Sequence, residues 1–188
     1  MVNHDFRYIY ISVPRTGTTS IVCAIEPDGH ERKPGRKHRA ISQIEEEITE
    51  DQFNQYFKFG YVRNPWDWSL SFYLYITSNK GHFRHEQLCQ YSSFSEYLKS
   101  TREPIGRPQS SYFTNSTGNI TVDYIGRFEN IQRDFDTICD KIGRPRQQLL
   151  HKNKTKREHY TEYYDDETRE IVAQKYARDI ELFGYEFE

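Results

Sequence analysis

The sequence lacks the features that would place a protein in a membrane or build it around disulfide bonds. No long apolar run occurs in its 188 residues, and the mean hydropathy is low at -0.94, so no segment is predicted to cross a bilayer. The three cysteines, Cys23, Cys89 and Cys139, are odd in number, far apart and without C-x-x-C spacing. This distribution argues against both a disulfide framework and a zinc site, and it predicts ordinary reduced thiols.

An export signal and a strong net charge are also missing. The apolar segment at residues 8–13 has neither a charged lead-in nor a small-residue cleavage site, so a cytoplasmic location is expected. The formal net charge is only -2, and without a recognised binding motif we expect no nucleic acid partner. Two local basic clusters, at residues 30–39 and 151–157, fit either solvated loops or contact with a polyanionic ligand. Nothing in the sequence indicates an oligomeric state.

What the sequence does contain is the pattern of one α/β domain. A chain of 188 residues with 35% hydrophobic side chains is long enough for one compact core, so residues 1–188 are expected to form a single domain. Runs of β-branched and aromatic residues at 7–13, 57–62 and 122–128 predict strands. Helical patterns follow at residues 21–25, 41–48, 66–75, 94–98, 131–142 and 165–183. Strands that alternate with helices predict a central parallel sheet flanked by helices, with long surface loops over the weakly periodic residues 78–121.

The turn after the first predicted strand has the composition of an anion-binding site. Gly17 is followed by Thr18 and Thr19 at the start of a predicted helix, where N–H groups without intrahelical partners and the helix dipole favour a phosphate. The turn departs from the nucleotide-triphosphate loop, because it lacks the first glycine and the lysine and carries Arg15 instead. The second strand ends in Arg63 rather than in an aspartate that would hold magnesium. A magnesium-dependent nucleotide or nucleoside kinase is therefore the weaker alternative, and a non-enzymatic polyanion-binding module is a further one.

Two segments resemble the nucleotide-binding motifs of the sulfotransferases that use 3′-phosphoadenosine 5′-phosphosulfate (PAPS). The first is V-P-R-T-G-T-T-S at residues 13–20, and the second is R-N-P-W-D-W-S-L-S-F-Y at residues 63–73. Further segments are similar to the carbohydrate-type branch of that family, namely Lys37-His38 and residues 125–130, 151–155 and 160–185. The resemblance implies a P-loop-like sulfotransferase fold. It also implies transfer of a sulfuryl group to an acceptor hydroxyl on a glycan, with 3′-phosphoadenosine 5′-phosphate (PAP) as the second product.

The resemblance also implies which residues bind the donor. In the family the first motif holds the 5′-phosphosulfate, and an arginine and a serine of the second motif hold the 3′-phosphate; these correspond here to Arg63 and Ser71. A late basic segment closes over the nucleotide. The implied donor-binding set is Arg15, Thr16, Gly17, Thr18, Thr19, Ser20, Arg63, Ser71, Thr155, Lys156 and Arg157. We expect no metal, because in-line geometry, cations and amide donors can stabilise the leaving phosphate.

Arg15 and His38 are the candidate catalytic residues. Arg15 stands where the family more often has lysine, and a guanidinium stabilises charge but does not readily give up a proton. His38 lies between the two motifs, and an imidazole titrates near neutrality, as a general base for the acceptor hydroxyl requires. A solvated histidine in a basic loop is the alternative, with Glu129 and His151 as other candidates for the base. Glu129 fits an ion pair with Arg127 equally well.

Four other prominent residues have simpler interpretations. Trp66 and Trp68 flank a helix start and are expected to pack in the core rather than bind adenine. His82 and His85 have H-x-x-H spacing on a predicted loop without acidic or cysteine partners. They are therefore expected to be surface residues and not metal ligands.

Overall fold

The chain folds into two compact units, described over residues 1–26, 38–150 and 157–188 of a computed structural model. The sheet unit consists of Met1–Arg63 and Gln109–Asn153, and the helical unit of Asn64–Pro108 and Lys154–Glu188. The expected α/β class, with a central and mostly parallel sheet flanked by helices, is confirmed. The expectation of a single domain over residues 1–188 stays a prediction.

A four-stranded sheet forms the centre of the sheet unit. In spatial order its strands are β1 Val2–Asn3, β2 Tyr8–Ile11, β3 Phe57–Val62 and β4 Tyr124–Arg127. β2, β3 and β4 run parallel, while β1 pairs antiparallel with β2. The three predicted strands are confirmed, two of them with shorter ends, and β1 is absent from the prediction because two residues carry no periodicity. The chain leaves β2, β3 and β4 at one edge of the sheet, which is where parallel sheets bind ligands.

Helices occur in both units. The sheet unit contains α1 Thr18–Ile25, α2 Ile41–Glu45, α3 Glu50–Gln55 and α7 Ile131–Ile142, with 3-10 helices at Gln109–Tyr112 and Phe128–Asn130. The helical unit contains α4 Pro65–Ser78, α5 His85–Cys89, α6 Phe94–Thr101, α8 Asp166–Lys175 and α9 Ala177–Phe183, with a 3-10 helix at Tyr160–Tyr163. None of the helices in the described ranges has the length and apolar character needed to cross a membrane.

One face of the sheet packs against α1 and α7. Alternate residues of a strand point to the same face, and on this face the aromatic rings of β2 and β3 lie together, with Tyr10 and Phe59 stacked at 5.1 Å between ring centroids. Ile21 of α1 and Phe135 of α7 are fully buried in the same cluster. The packing fixes α1 against the sheet, so the start of α1 is held at the carboxyl end of β2.

The opposite face of the sheet carries Phe113. A Cβ atom added to Gly60 would lie 2.4 Å from the Phe113 ring and 2.8 Å from the carbonyl oxygen of Ile11. Only glycine therefore lets the ring approach the backbone of β3 this closely. The contact anchors the segment that follows Gln109 to the middle of the sheet.

Within residues 78–121 the expected helix at 94–98 is confirmed as α6, but the expectation of surface loops over the rest of the stretch is wrong. The rest contains α5 and the 3-10 helix Gln109–Tyr112, and Leu88 and Phe113 within it are fully buried. His85 begins α5 instead of lying on a loop. The two elements that are not predicted have five and four residues, too few for a clear apolar period, so burial here depends on tertiary packing that the sequence pattern does not reveal.

One predicted helix is interrupted and another is shorter than predicted. The expected helix at 165–183 consists of α8 and α9, separated at Tyr176, whose backbone angles of φ -112° and ψ 25° leave the helical region. The fully buried Tyr176 donates its hydroxyl hydrogen to the carbonyl of Ile105 at 2.7 Å, a tertiary bond that outweighs local helix propensity. Likewise the expected helix at 41–48 ends at Glu45, and α3 begins at a new cap, where Thr49 accepts from the N–H of Gln52.

The two tryptophans of α4 are packing residues, as predicted. Trp68 is fully buried and meets the rings of Phe72 and Tyr176 edge to face, at 5.0 Å and 5.5 Å. The indole N–H of Trp66 donates to the carbonyl of Arg169 at 2.9 Å. These contacts join α4 to α8 and make the aromatic core of the helical unit.

Candidate active site

The loop between β2 and α1 is held in shape by its own threonines. Thr16 and Thr18 both donate their hydroxyl hydrogens to the carbonyl of Val13, at 2.9 Å and 3.0 Å. Thr18 also accepts from Tyr10 at 3.3 Å and from Ser12 at 3.2 Å. A hydroxyl has one hydrogen, and both threonines donate theirs to Val13. These two side chains therefore stabilise the loop, and a ligand would be bound by backbone N–H groups instead.

Two residues of this loop have left-handed backbone conformations. Gly17, the N-cap of α1, has φ 81°, and a Cβ atom there would lie 2.3 Å from Cδ1 of Ile131. Arg15 has φ 63°, a region that costs a residue with a Cβ roughly 1–2 kcal/mol. Strained conformations of this kind cluster at functional sites, and here the strain falls on the cation that the sequence singles out.

The start of α1 is suited to an anion. Within the described geometry, Gly17 provides no side-chain cap and the first turn of α1 contains no acidic residue. The first N–H groups of a helix have no intrahelical partner, and the helix dipole adds positive potential at the same place. The start of α1 therefore has the features that favour a phosphate, and its assignment as a phosphate site stays a prediction.

Arg63 brings a second positive charge to the same loop. It directly follows β3 and is only 7% exposed. One guanidinium nitrogen donates to the carbonyl of Arg15 at 3.1 Å, and the guanidinium carbon lies 4.1 Å from the centre of the Phe128 ring, a cation–π distance. A buried cation is costly without anionic or dipolar partners. Arg63 therefore places a buried guanidinium directly beside the loop.

His38 lies beside the same loop, on the chain that leads into α2. Its Nδ1 is 2.9 Å from the carbonyl oxygen of Ser12 and 3.2 Å from the Ser12 hydroxyl. A carbonyl can only accept, so Nδ1 carries the hydrogen and, in the neutral ring, Nε2 carries the lone pair. His38 also has a left-handed backbone, with φ 60°. The imidazole is thus oriented by the last residue before the candidate phosphate loop.

A buried phenol completes this hydroxyl network. Burial raises the pKa of Tyr10 above its ordinary value, so its hydroxyl stays protonated and donates to Thr18. Thr18 is in turn bonded to Ser12, the residue that holds His38. The network links the core face of the sheet to the candidate base through hydrogen bonds at every step.

The predicted site residues fall into three groups. Residues 15–20, His38 and Arg63 lie in the sheet unit, and His38 and Arg63 are each hydrogen-bonded to the chain between β2 and α1, at Ser12 and Arg15. Ser71 and Arg157 belong to the helical unit, where Ser71 is 4% exposed and Arg157 forms an ion pair with Asp67 in the first turn of α4. Lys37, His151, Thr155 and Lys156 lie outside the described residues.

Gln109 is a site residue that the sequence does not reveal. Its side-chain amide is fully buried and bonds to both backbone groups of Arg63. A single glutamine in a stretch predicted as surface loop gives no pattern that would distinguish it. The only local signal is its place in a buried 3-10 turn, which the sequence does not predict.

The expected absence of a metal stays a prediction. In the parts of the chain that the structure describes, no three histidine, cysteine, aspartate or glutamate side chains form a metal-binding group. His85 instead donates its Nδ1 hydrogen to the carbonyl of Ile76 at 3.0 Å, and His82 stacks on Phe83. The free thiol Cys139 is buried, which raises its pKa to about 11.

At the carboxyl edge of the parallel sheet the structure brings together the candidate phosphate loop, the buried Arg63 and the oriented His38. The sequence matches the sulfotransferase family over residues 1–186, and the chain belongs to that family. The predicted family is confirmed, while the carbohydrate branch stays a prediction. An uncharacterised protein of Archaeoglobus fulgidus is 31% identical over 106 residues, which cover 54% of this chain and 80% of that protein. No solved structure matches the chain significantly.

Proposed function

We propose that the chain transfers the sulfuryl group of PAPS to a hydroxyl of a carbohydrate. The observation that carries this proposal is the hydrogen bond between the Arg63 guanidinium and the carbonyl of Arg15. It joins the two sequence motifs at the start of α1, where two arginines and the helix dipole all favour anionic groups. A nucleotide with phosphate groups at two positions suits such a set of donors, and the family supplies the reaction class.

Each end of the donor has its own set of residues. When bound, PAPS supplies the activated sulfuryl group. Arg15 and the N–H groups at the start of α1 bind the 5′-phosphosulfate and stabilise the negative charge that develops on the leaving phosphate. Arg63 binds the 3′-phosphate. The assignment of Ser71 to that phosphate, and of Thr155, Lys156 and Arg157 to the nucleotide, rests on the resemblance alone.

His38 acts as the general base. Its Nε2 accepts the proton of the acceptor hydroxyl while the oxygen attacks sulfur and the bond from sulfur to the leaving phosphate oxygen breaks. Nδ1 keeps its hydrogen and donates it to the carbonyl of Ser12, which stabilises the imidazolium that results, as a hydrogen-bonded partner does in other histidine bases. The proton thus ends on Nε2 of His38, the sulfuryl group ends on the acceptor oxygen, and the 5′-phosphate leaves as part of PAP.

An acceptor screen with radiolabelled PAPS tests the proposal. The protein is incubated with glycans, phenols, simple alcohols and tyrosine peptides, and the labelled product is identified. We expect label on a glycan hydroxyl, and loss of that label in the Arg63→Ala variant. Label on a phenol or on a peptide tyrosine would refute the carbohydrate acceptor. A protein that binds no PAP in calorimetry would refute the donor.

A further inference from the structure

Gln109 makes two opposed hydrogen bonds to one residue. Its Oε1 accepts from the N–H of Arg63 at 2.9 Å, and its Nε2 donates to the carbonyl of Arg63 at 2.7 Å. The side chain is fully buried. A buried amide that satisfies both a donor and an acceptor of the same backbone residue holds that residue much as a neighbouring strand would.

The pairing of the sheet ends just before Arg63, so the two hydrogen bonds from Gln109 take the place of a neighbouring strand there. The register between β3 and β4 runs as far as Val62 opposite Arg127, and β2 pairs with β3 only to Gly60. Arg63 therefore lies beyond the paired region of β3, although it is buried. Gln109 extends the pairing by one residue and so fixes the backbone from which the guanidinium projects.

Gln109 is itself held in place by the residues that follow it in the chain. Gln109 begins the 3-10 helix that ends at Tyr112, and Ser110 in the same turn is 1% exposed. Phe113, the residue that follows this 3-10 helix, packs against Gly60 in the middle of β3. Gln109 is thus held to the same strand whose end it completes.

The side chain of Arg63 is also held at its far end. Its guanidinium lies over the ring of Phe128 and donates to the carbonyl of Arg15. With the backbone fixed by Gln109 and the head group fixed by Phe128 and the loop, the guanidinium is preorganised before any ligand binds. Preorganisation of this kind raises affinity by lowering the ordering cost on binding.

We propose that Gln109 is a positioning residue that gives the nucleotide site its selectivity for a 3′-phosphate, which rests on the proposed function of Arg63. A neutral amide is required at this position. A glutamate would lack the donor for the Arg63 carbonyl and would set a carboxylate near the phosphate that Arg63 attracts. A primary amide presents a donor and an acceptor side by side in one plane, and asparagine, which carries the same group, is one methylene shorter.

Calorimetric titration of variants with PAP and with adenosine 5′-phosphate (AMP) tests the proposal. The readout is the dissociation constant for AMP divided by the dissociation constant for PAP. A partly unfolded sample changes the stoichiometry of binding but leaves this ratio unchanged. We expect Gln109→Met to lower this ratio about tenfold, the equivalent of one weakened charge-assisted hydrogen bond. Gln109→Glu, which keeps the side-chain volume and the acceptor for the Arg63 N–H, should lower it by at least as much and serves if the methionine variant does not fold.

Gln132 of α7 offers a matched control. Its Oε1 accepts from the N–H of Leu149 at 2.8 Å and its Nε2 donates to the carbonyl of Gln147 at 3.0 Å. Gln132 therefore also bonds to a backbone donor and a backbone acceptor, but they belong to residues other than Arg63. Gln132→Met should leave the ratio unchanged even if it lowers the melting temperature. A ratio in Gln109→Met within twofold of the wild-type value, while Arg63→Ala loses the preference, would overturn the role of Gln109. A wild-type protein that binds PAP and AMP equally would instead overturn the proposed function itself.

Discussion

Replacement of His38 by asparagine is the sharpest test of the proposed chemistry. The left-handed backbone of His38, with φ 60°, makes alanine a poor choice, because asparagine is among the few residues other than glycine that tolerate this region. The asparagine amide can also donate to the carbonyl of Ser12, which now accepts from Nδ1 at 2.9 Å. The variant therefore removes the basic nitrogen with little disturbance of the fold.

The expected effects on rate and on stability differ greatly in size. Loss of a general base lowers the rate about 10²–10⁴-fold, which corresponds to roughly 3–5 kcal/mol in the activation barrier. Loss of the Nδ1 hydrogen bond costs at most about 1.5 kcal/mol of folding stability. For a chain of this length that lowers the melting temperature by no more than about 6 °C. A variant that is folded but nearly inactive is the expected outcome.

Single-turnover transfer from radiolabelled PAPS to the identified acceptor measures the rate, and calorimetry with PAP measures the affinity. His38→Asn should keep the PAP affinity within about twofold, since the base contacts the acceptor and not the nucleotide. The wild-type rate should rise with pH through an imidazole titration that the variant lacks. Near wild-type turnover in His38→Asn, with the same pH profile, would refute His38 as the base, and Glu129 and His151 would be tested next.

The remaining predictions concern the phosphate loop and its partners. Arg63→Ala should weaken PAP binding at least tenfold by calorimetry and leave AMP binding unchanged, because a hydrogen bond to a charged group contributes about 1.5–3 kcal/mol; an equal loss for both nucleotides would contradict this. Arg15→Lys should retain substantial transferase activity while Arg15→Ala loses both turnover and PAP affinity, since a cation is what the site requires. Gly17→Ala should lower the unfolding free energy by about 2 kcal/mol or more in denaturant titration, because the new Cβ meets Ile131 and the backbone has φ 81°. Activity should survive excess EDTA, and a loss that magnesium restores would favour the kinase alternative.

The sequence predicts the elements whose period is long and whose ends are marked. α7 is recognised from Phe135, Ile138 and Ile142 on one face and from Gly143, which ends it with φ 68°. The loop between β2 and α1 is predicted as a candidate phosphate site because its glycine and threonines follow directly on a strand. Gln109 and the break at Tyr176 are not predictable in this way, because they depend on tertiary hydrogen bonds between residues far apart in the sequence.

The order of the chain through the sheet has a consequence for how the protein folds. The sheet unit is built from two stretches of sequence, and the hydrogen bond from the N–H of Lys58 to Asp123, next to the start of β4, spans 65 residues. Closing a long loop costs entropy before the contacts it permits can form, and distant pairings slow folding. During synthesis, β3 must wait with one edge open until β4 and α7 have been made. The arginine at the end of β3 can take up its binding conformation only after that late step.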